Sequence, residues 1–354
     1  MAVPRTVFRD RLSISNELYR LVQDQLSEAP RTNTLNDLKT TIETLSTFTG
    51  ACESVLTDIS SRGQETDLRT AVEGIRNVLT WAKFLDTIRT TPSDPNFLFR
   101  AHKHAATSQP TFVPDLDVPF DLGFRRTHSI DKFVEDLAEH LGKTRKAKSE
   151  TYFVSMSPIL EWTIHTAGQK WIHRGQDEVG LAIFDVKKLQ QNSGTIIFRV
   201  SDVLKFLAGE GKDSLIEQGL QQWARNCDEY VSVGKISDDG LVRWVAWDKL
   251  YLSPANILSK RCFVRARTLG VYRKWIQEYQ QPIELEDICQ RMVEFGKVLA
   301  GPQEDLLSPL IELLLKPGIL FWGFINESSE EVVIASIRAL VDETGLESLS
   351  GLTI

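Results

Sequence analysis

Three short stretches carry side chains whose types and spacing could do chemistry. The run FLFRAH, Phe97 to His102, sets one arginine, Arg100, among apolar neighbours with strand propensity. A guanidinium inside a strand is costly to bury without a partner, so Arg100 either faces solvent at a strand end or is aimed at an anion. The second stretch, ETYFVSMSPILEWTIH (Glu150 to His165), passes from the β-prone Tyr152, Phe153 and Val154 into Ser155, Met156 and Ser157. Pro158 then opens an amphipathic helix with Ile159, Trp162, Ile164 and Ala167 on its apolar side. A strand that ends in two hydroxyls and turns at once into a helix reads either as a ligand site or as an ordinary serine cap. The third, CDEYVSVGKI (Cys227 to Ile236), puts Asp228 and Glu229 immediately before a clean strand.

The elements that must position these residues lie in the middle of the chain. Short β-like runs at Phe97 to Ala101, Tyr152 to Ser155, Gly180 to Val186, Thr195 to Val200, Glu229 to Ile236 and Leu241 to Trp247 alternate with loops and short helices such as Ile130 to Leu141. That texture predicts an α+β domain over residues 93–254 with a mixed, mostly antiparallel sheet. The turn-rich TTPSDPN, Thr90 to Asn96, marks its start. Before it, apolar residues such as Leu35, Leu38, Ile42 and Leu45, and then Leu68, Val72, Ile75 and Leu79, recur near a 3.6 period. They predict an N-terminal helical bundle over residues 1–92, suited to packing or oligomerisation. Past Pro254 the same periodicity returns at Ile288, Met292, Phe295 and Leu299, at Leu306, Leu310 and Leu313, and at Val333, Ile337 and Leu340, so residues 255–354 read as a C-terminal helical region. The run Gln109 to Phe124, with three prolines, reads as an irregular surface loop.

Composition narrows the function classes. With 354 residues the chain can build more than one core, and 42% hydrophobic with 25% charged residues is ordinary for a globular protein. A formal net charge of -7 gives no global field toward nucleic acid or an anionic membrane. The cluster Lys260, Arg261, Arg265, Arg267, Arg273 and Lys274 reads as a solvated face balanced by the acidic stretch near Glu284 to Asp287 rather than as a nucleic-acid surface. The four cysteines are far apart without metal-like spacing, and MAVPRTVFRDRL lacks the apolar core of a secretory signal, so an intracellular, cytoplasmic setting is expected. The apolar tracts near Leu306 to Leu315 and Ile319 to Phe324 are interrupted by Lys316, Pro317 and Gly318, too soon to span a bilayer. Neither GxGxxG after a strand, GxxxxGK[ST] nor HExxH occurs, and the pair His102 and His104 reads as a polar strand end rather than a metal site.

A strand-borne arginine, a Phe-x-Ser-x-Ser strand running into a helix, and a glutamate entering a later strand, in that order, resemble the arginine-serine-glutamate class of ADP-ribosyltransferases, the cholera-toxin-like branch. The likeness covers roughly Asn96 to Pro254, and the chain is also similar to a group of uncharacterised fungal domains with LFRAH-like and YFVSMS-like strands. The resemblance implies NAD as substrate and cleavage of its nicotinamide–ribose bond, by a mono-ADP-ribosyltransferase or an NAD glycohydrolase. In that reading Arg100 holds the NAD phosphate or the nicotinamide-side ribose, and Ser155 hydrogen-bonds across the cleft to hold the glutamate. Ser157 supports the strand end, and Phe153 and the helix at Trp162 form one wall of the nicotinamide pocket. Glu229 accepts a hydrogen bond from a ribose hydroxyl and stabilises the oxocarbenium-like centre. The loop His173 to Glu178 would lie near the dinucleotide.

Two positions depart from the pattern. Met156 replaces the usual threonine, with its side chain expected to point away from the site. Cys227 stands where arginine-modifying members carry Glu or Gln, which argues against arginine as acceptor and leaves hydrolysis, another acceptor, or loss of activity. In the last case the chain is a catalytically inactive ADP-ribosyltransferase-like interaction module, in a fungal intracellular assembly or self/non-self recognition system, with the helical regions making protein contacts.

Overall fold

The structure is a computed structural model and describes residues 95–103, 129–142, 151–174, 179–191, 196–236, 238–251, 284–315 and 330–343, with Phe112, part of 73–88, and Thr268, Gly270, Val271 and Lys274. The helices expected over residues 1–72, the proline-rich run apart from Phe112, and the basic cluster apart from Lys274 lie outside the described residues.

In chain order the elements are β1 (Phe97–Lys103), α1 (Ile130–Gly142), β2 (Phe153–Met156), α2 (Leu160–Arg174), β3 (Val179–Asp185), α3 (Val186–Gln191), β4 (Ile196–Arg199) and α4 (Val200–Gly209). They continue with α5 (Gln218–Asn226), β5 (Tyr230–Val233), β6 (Leu241–Ala246), α6 (Trp247–Tyr251), α7 (Leu285–Ala300), α8 (Leu307–Leu315) and α9 (Glu330–Glu343). The fold is α+β, and its strands form two small sheets, in the orders β1-β3-β6 and β2-β5-β4. The strand expected at Glu229 to Ile236 is shorter, Tyr230–Val233, because Glu229 belongs to the turn before it.

The chain divides into two compact units built from interleaved segments, one of Met1–Asp94, Phe112–Ser155 and Lys187–Asp239, the other of Pro95–Thr111, Met156–Val186 and Gly240–Ile354. In the first, β4 runs antiparallel to β5 with Ile196 opposite Val233 and Arg199 opposite Tyr230. Its core gathers Phe133, Val134, Leu137 and Leu141, which the helical period lines up on one side of α1, with Val203 and Leu207 of α4 and Val231 and Val233 of β5. Trp81, Phe84 and Phe133 meet edge to face at centroid distances of 5.3 to 5.7 Å, so the helical residues ending at Ile88 are part of this core.

In the second unit β3 is the central strand, antiparallel to β1 and β6. Two-residue alternation puts Phe97, Phe99 and Ala101 of β1, Val179, Leu181 and Ile183 of β3, and Val245 of β6 against Leu160 and Ile164 of α2 and against α7, α8 and α9. Each buried Phe, Val, Leu or Ile side chain among them contributes about 1.5–3 kcal/mol of transfer free energy. The same alternation turns Leu98, Arg100 and His102 to the opposite face of the sheet. Arg100 is therefore turned away from the helical core and stands in one row with its ladder partner Ala182 and, beyond it, Trp244. No helix among the described residues is long and apolar enough to cross a membrane.

Candidate functional site

Glu229 lies at the turn from α5 into β5, and the local backbone explains its placement. α5 ends with Cys227 as C-cap, and Asp228 follows at φ +46, the single non-glycine residue of positive φ among those described. The Glu229 N–H donates to Ala224 O at 2.9 Å and the Asp228 N–H to Arg225 O at 3.2 Å. These two bonds make a Schellman motif, whose left-handed position is usually glycine and whose next residue usually makes an apolar contact. Here those places hold an aspartate and a glutamate, and Glu229 is only 2% exposed. A carboxylate at such a place carries a desolvation cost that packing alone does not require.

Its neighbours answer part of that cost. Cys227, 1% exposed, donates its thiol to Glu229 Oε2 at 3.4 Å. Burial, and next the charge of Glu229, push the Cys227 thiol far above its ordinary range, so the sulfur keeps its proton and acts as donor. Arg199, the last residue of β4, donates Nε to Asp228 Oδ1, and this bond holds its guanidinium above the usual value. The Val200 N–H donates to Glu229 O at 2.8 Å, so consecutive residues of the β4–α4 junction grip consecutive residues of the turn.

Ser155 lies on β2, the strand beside β5. Its Oγ is 2.7 Å from His140 Nε2, and His140 Nδ1 is 2.8 Å from Thr151 Oγ1, so α1 supplies an imidazole fixed at both nitrogens. Ser155 has one proton: with the Nδ1–H tautomer it is spent on His140, and with Nε2–H it is released toward another acceptor. Phe153, its neighbour but one, is enclosed among Tyr152, Phe133 and His140 at centroid distances of 4.4, 5.3 and 5.5 Å. The Tyr152 hydroxyl donates to Asp136 Oδ2 at 3.0 Å.

The second unit holds Arg100, Ser157 and Trp162. Phe99 and Ser157 exchange backbone hydrogen bonds of 2.8 and 2.9 Å, which seats Ser157 beside the residue before Arg100. Ser157 Oγ accepts the Ile159 N–H at 3.0 Å, so this hydroxyl supports the turn into α2. Trp162 packs at the margin of the helical core, 6.4 Å from the His165 ring. Lys170 Nζ donates to Ala101 O at 2.7 Å and ties α2 to β1 one residue past Arg100. Arg100 is half-buried. The structure thus groups Phe153, Ser155 and Glu229 in one unit and Arg100, Ser157 and Trp162 in the other.

The segment 175–178 and His104 lie outside the described residues. Among the described residues no group of three or more His, Cys, Asp or Glu is arranged to hold a metal ion. Sequence reasoning missed His140, Thr151 and Arg199 as neighbours of the candidate residues. Arg199 meets Asp228 from a different element, so no local spacing signals the pair.

Residues 93–250 match the model of DUF7587, described as a domain of unknown function. The DUF7587 match takes in Arg100, Ser155 and Glu229 and spans just under half the chain. No curated protein and no solved structure matches the chain.

Proposed function

We propose that the segment 93–250 is an ADP-ribosyltransferase-like domain that cleaves the nicotinamide–ribose bond of NAD, transferring ADP-ribose to water or to an acceptor group. The observation that carries this reading is Glu229: a carboxylate 2% exposed, at the mouth of a strand, in a motif position that ordinarily takes an apolar side chain. Supporting it, the serine strand β2 and the glutamate-led strand β5 are neighbours in one sheet.

In the proposed reaction the C–N bond to nicotinamide breaks heterolytically and its electron pair leaves with the nicotinamide. Positive charge develops at the ribose anomeric carbon, where a preorganised Glu229 carboxylate stabilises it. A water or acceptor oxygen then bonds to that carbon, and its proton passes to solvent water. An intracellular setting is part of the proposal and accords with Cys227 and Cys289 being free thiols.

One observation favours a second reading. Cys227 is buried against Glu229 and leaves no carboxylate or amide there to orient an acceptor, which suits an interaction module that has lost transfer. Incubation with NAD and quantitation of nicotinamide decides between them. The proposed reaction requires release that Glu229→Gln lowers by about 100-fold or more, the usual scale for removing one electrostatic stabiliser. Release no faster than that of Glu229→Gln, with no NAD binding by calorimetry, would sink it.

A further inference from the structure

We infer that Arg199, Asp228 and Cys227 are positioning residues that fix the Glu229 carboxylate, a proposal that rests on the NAD-cleaving reading just given. A Schellman turn needs only glycine at its left-handed position, and glycine would take φ +46 without strain. Asp228 takes it instead, at a modest conformational cost for a residue with a short polar side chain, and its surroundings hold it there. The surroundings are identifiable. Arg199 lies opposite Tyr230 in the ladder, so its side chain leaves the strand next to the turn and reaches Asp228 Oδ1. The adjacent Val200 N–H holds the carbonyl of Glu229 itself at 2.8 Å. The turn is thus held at side chain and backbone by one corner of the sheet.

The carboxylate has its own guide. Cys227 Sγ is 3.4 Å from Glu229 Oε2 and 3.7 Å from Ala224 O, and the single S–H proton favours the shorter contact, to a charged acceptor. The geometry is self-consistent only if the turn is closed: Cys227 and Glu229 flank Asp228, and opening φ at Asp228 would swing one away from the other. Neither Arg199 nor Cys227 needs to touch a substrate. Their effect passes through Glu229.

The test pairs kinetics with a spectroscopic signature that does not depend on turnover. The S–H stretch of Cys227, assigned by its loss in Cys227→Ala, is expected at the low frequency of a thiol bonded to a carboxylate, and Glu229→Gln should raise it. Arg199→Gln should raise it too, and should lower kcat for nicotinamide release by about 10-fold or more while KM for NAD changes by less than about 2-fold. Cys227→Ser keeps a donor and should stay within about 3-fold of wild type, whereas Cys227→Ala should lose about as much as Arg199→Gln. Urea midpoints confirm that each variant is folded. Arg199→Gln with an unshifted band and unchanged kcat overturns the proposal, and so does an effect confined to KM, which would make Arg199 a substrate contact. If wild-type protein releases no nicotinamide, the preceding reading fails, and the S–H band alone judges the positioning of Glu229.

Discussion

Asp228 allows a stability experiment in which two ordinary expectations have opposite signs. Asp228→Ala removes the ion pair with Arg199, whose side chains are 38% and 23% exposed. At that exposure the pair is worth about 0.5–1 kcal/mol after solvent screening. The substitution also places a Cβ without a local hydrogen-bonding group at φ +46, which costs about 1 kcal/mol more. The sum is a loss of about 1.5–2 kcal/mol. Asp228→Gly loses the same ion pair and adds about 0.4–1 kcal/mol of unfolded-chain entropy, but removes the left-handed cost altogether. The relief of the aspartate's own left-handed cost about cancels that entropy, so the net loss is that of the ion pair, about 0.5–1 kcal/mol. Alanine normally outranks glycine by about 0.4–1 kcal/mol, yet here glycine should be the more stable variant by about 1 kcal/mol. Equilibrium urea unfolding of the three proteins, with m-values compared, measures the order. An Asp228→Ala protein as stable as Asp228→Gly would mean that the residue is not left-handed in the folded protein, and the Schellman account of Glu229 would go with it.

Gly180 supplies a steric prediction. A Cβ there would lie 2.2 Å from Trp244 Cζ2 and 2.6 Å from the Val245 carbonyl oxygen, a backbone atom of the adjoining strand. Gly180→Ala should therefore cost about 2–3 kcal/mol in urea unfolding, whereas Gly209→Ala, with nothing within 4 Å, should be neutral or stabilising. Equal midpoints for the two variants would contradict the packing. Alkaline pH supplies a third. Burial first, then Glu229, raises the Cys227 thiol above its ordinary 9.0; burial raises Cys289 to about 11; burial, then Asp136, raises the Tyr152 phenol above its ordinary 10.0. The folded protein then keeps protons that the unfolded chain loses, so this stability is complete below about pH 9 and declines as pH rises toward the folded values. The urea midpoint should be flat from about pH 7 to 8.5 and fall by about pH 10.5, less steeply above pH 10 in Tyr152→Phe; a midpoint constant to pH 10.5 refutes it.

The periodicities that made the fold legible are local ones. α1 is readable because Phe133, Val134, Leu137 and Leu141 repeat at helical spacing, and β3 because a short, nearly continuous apolar run suits a strand buried on both faces. Strand pairing is not local. Nothing between Phe97 and Asp185 says that β1 will pair with β3, nor that the strands will part into two sheets instead of one, since each partner is chosen by the core that forms around it. The interleaving of the two compact units is illegible for the same reason. The chain crosses from one to the other between Ser155 and Met156, inside a strand, where no proline or glycine marks a boundary.

At the candidate site the legible part was the side chain and the illegible part was the turn. ArgAsnCysAspGlu carries no glycine, so the usual sign of a left-handed helix end is missing and no local signal marks where the helix Gln218–Asn226 stops. Yet that absence is informative once the backbone is known. The usual form of this turn has glycine in the place of Asp228 and an apolar residue in the place of Glu229, and the second of these removes a buried charge. This chain keeps both polar residues and adds Arg199 and Cys227 to hold them. Local rules that are broken in adjacent positions, with the compensation drawn from another strand and from the helix end, are the pattern that the proposed role of the Glu229 carboxylate requires.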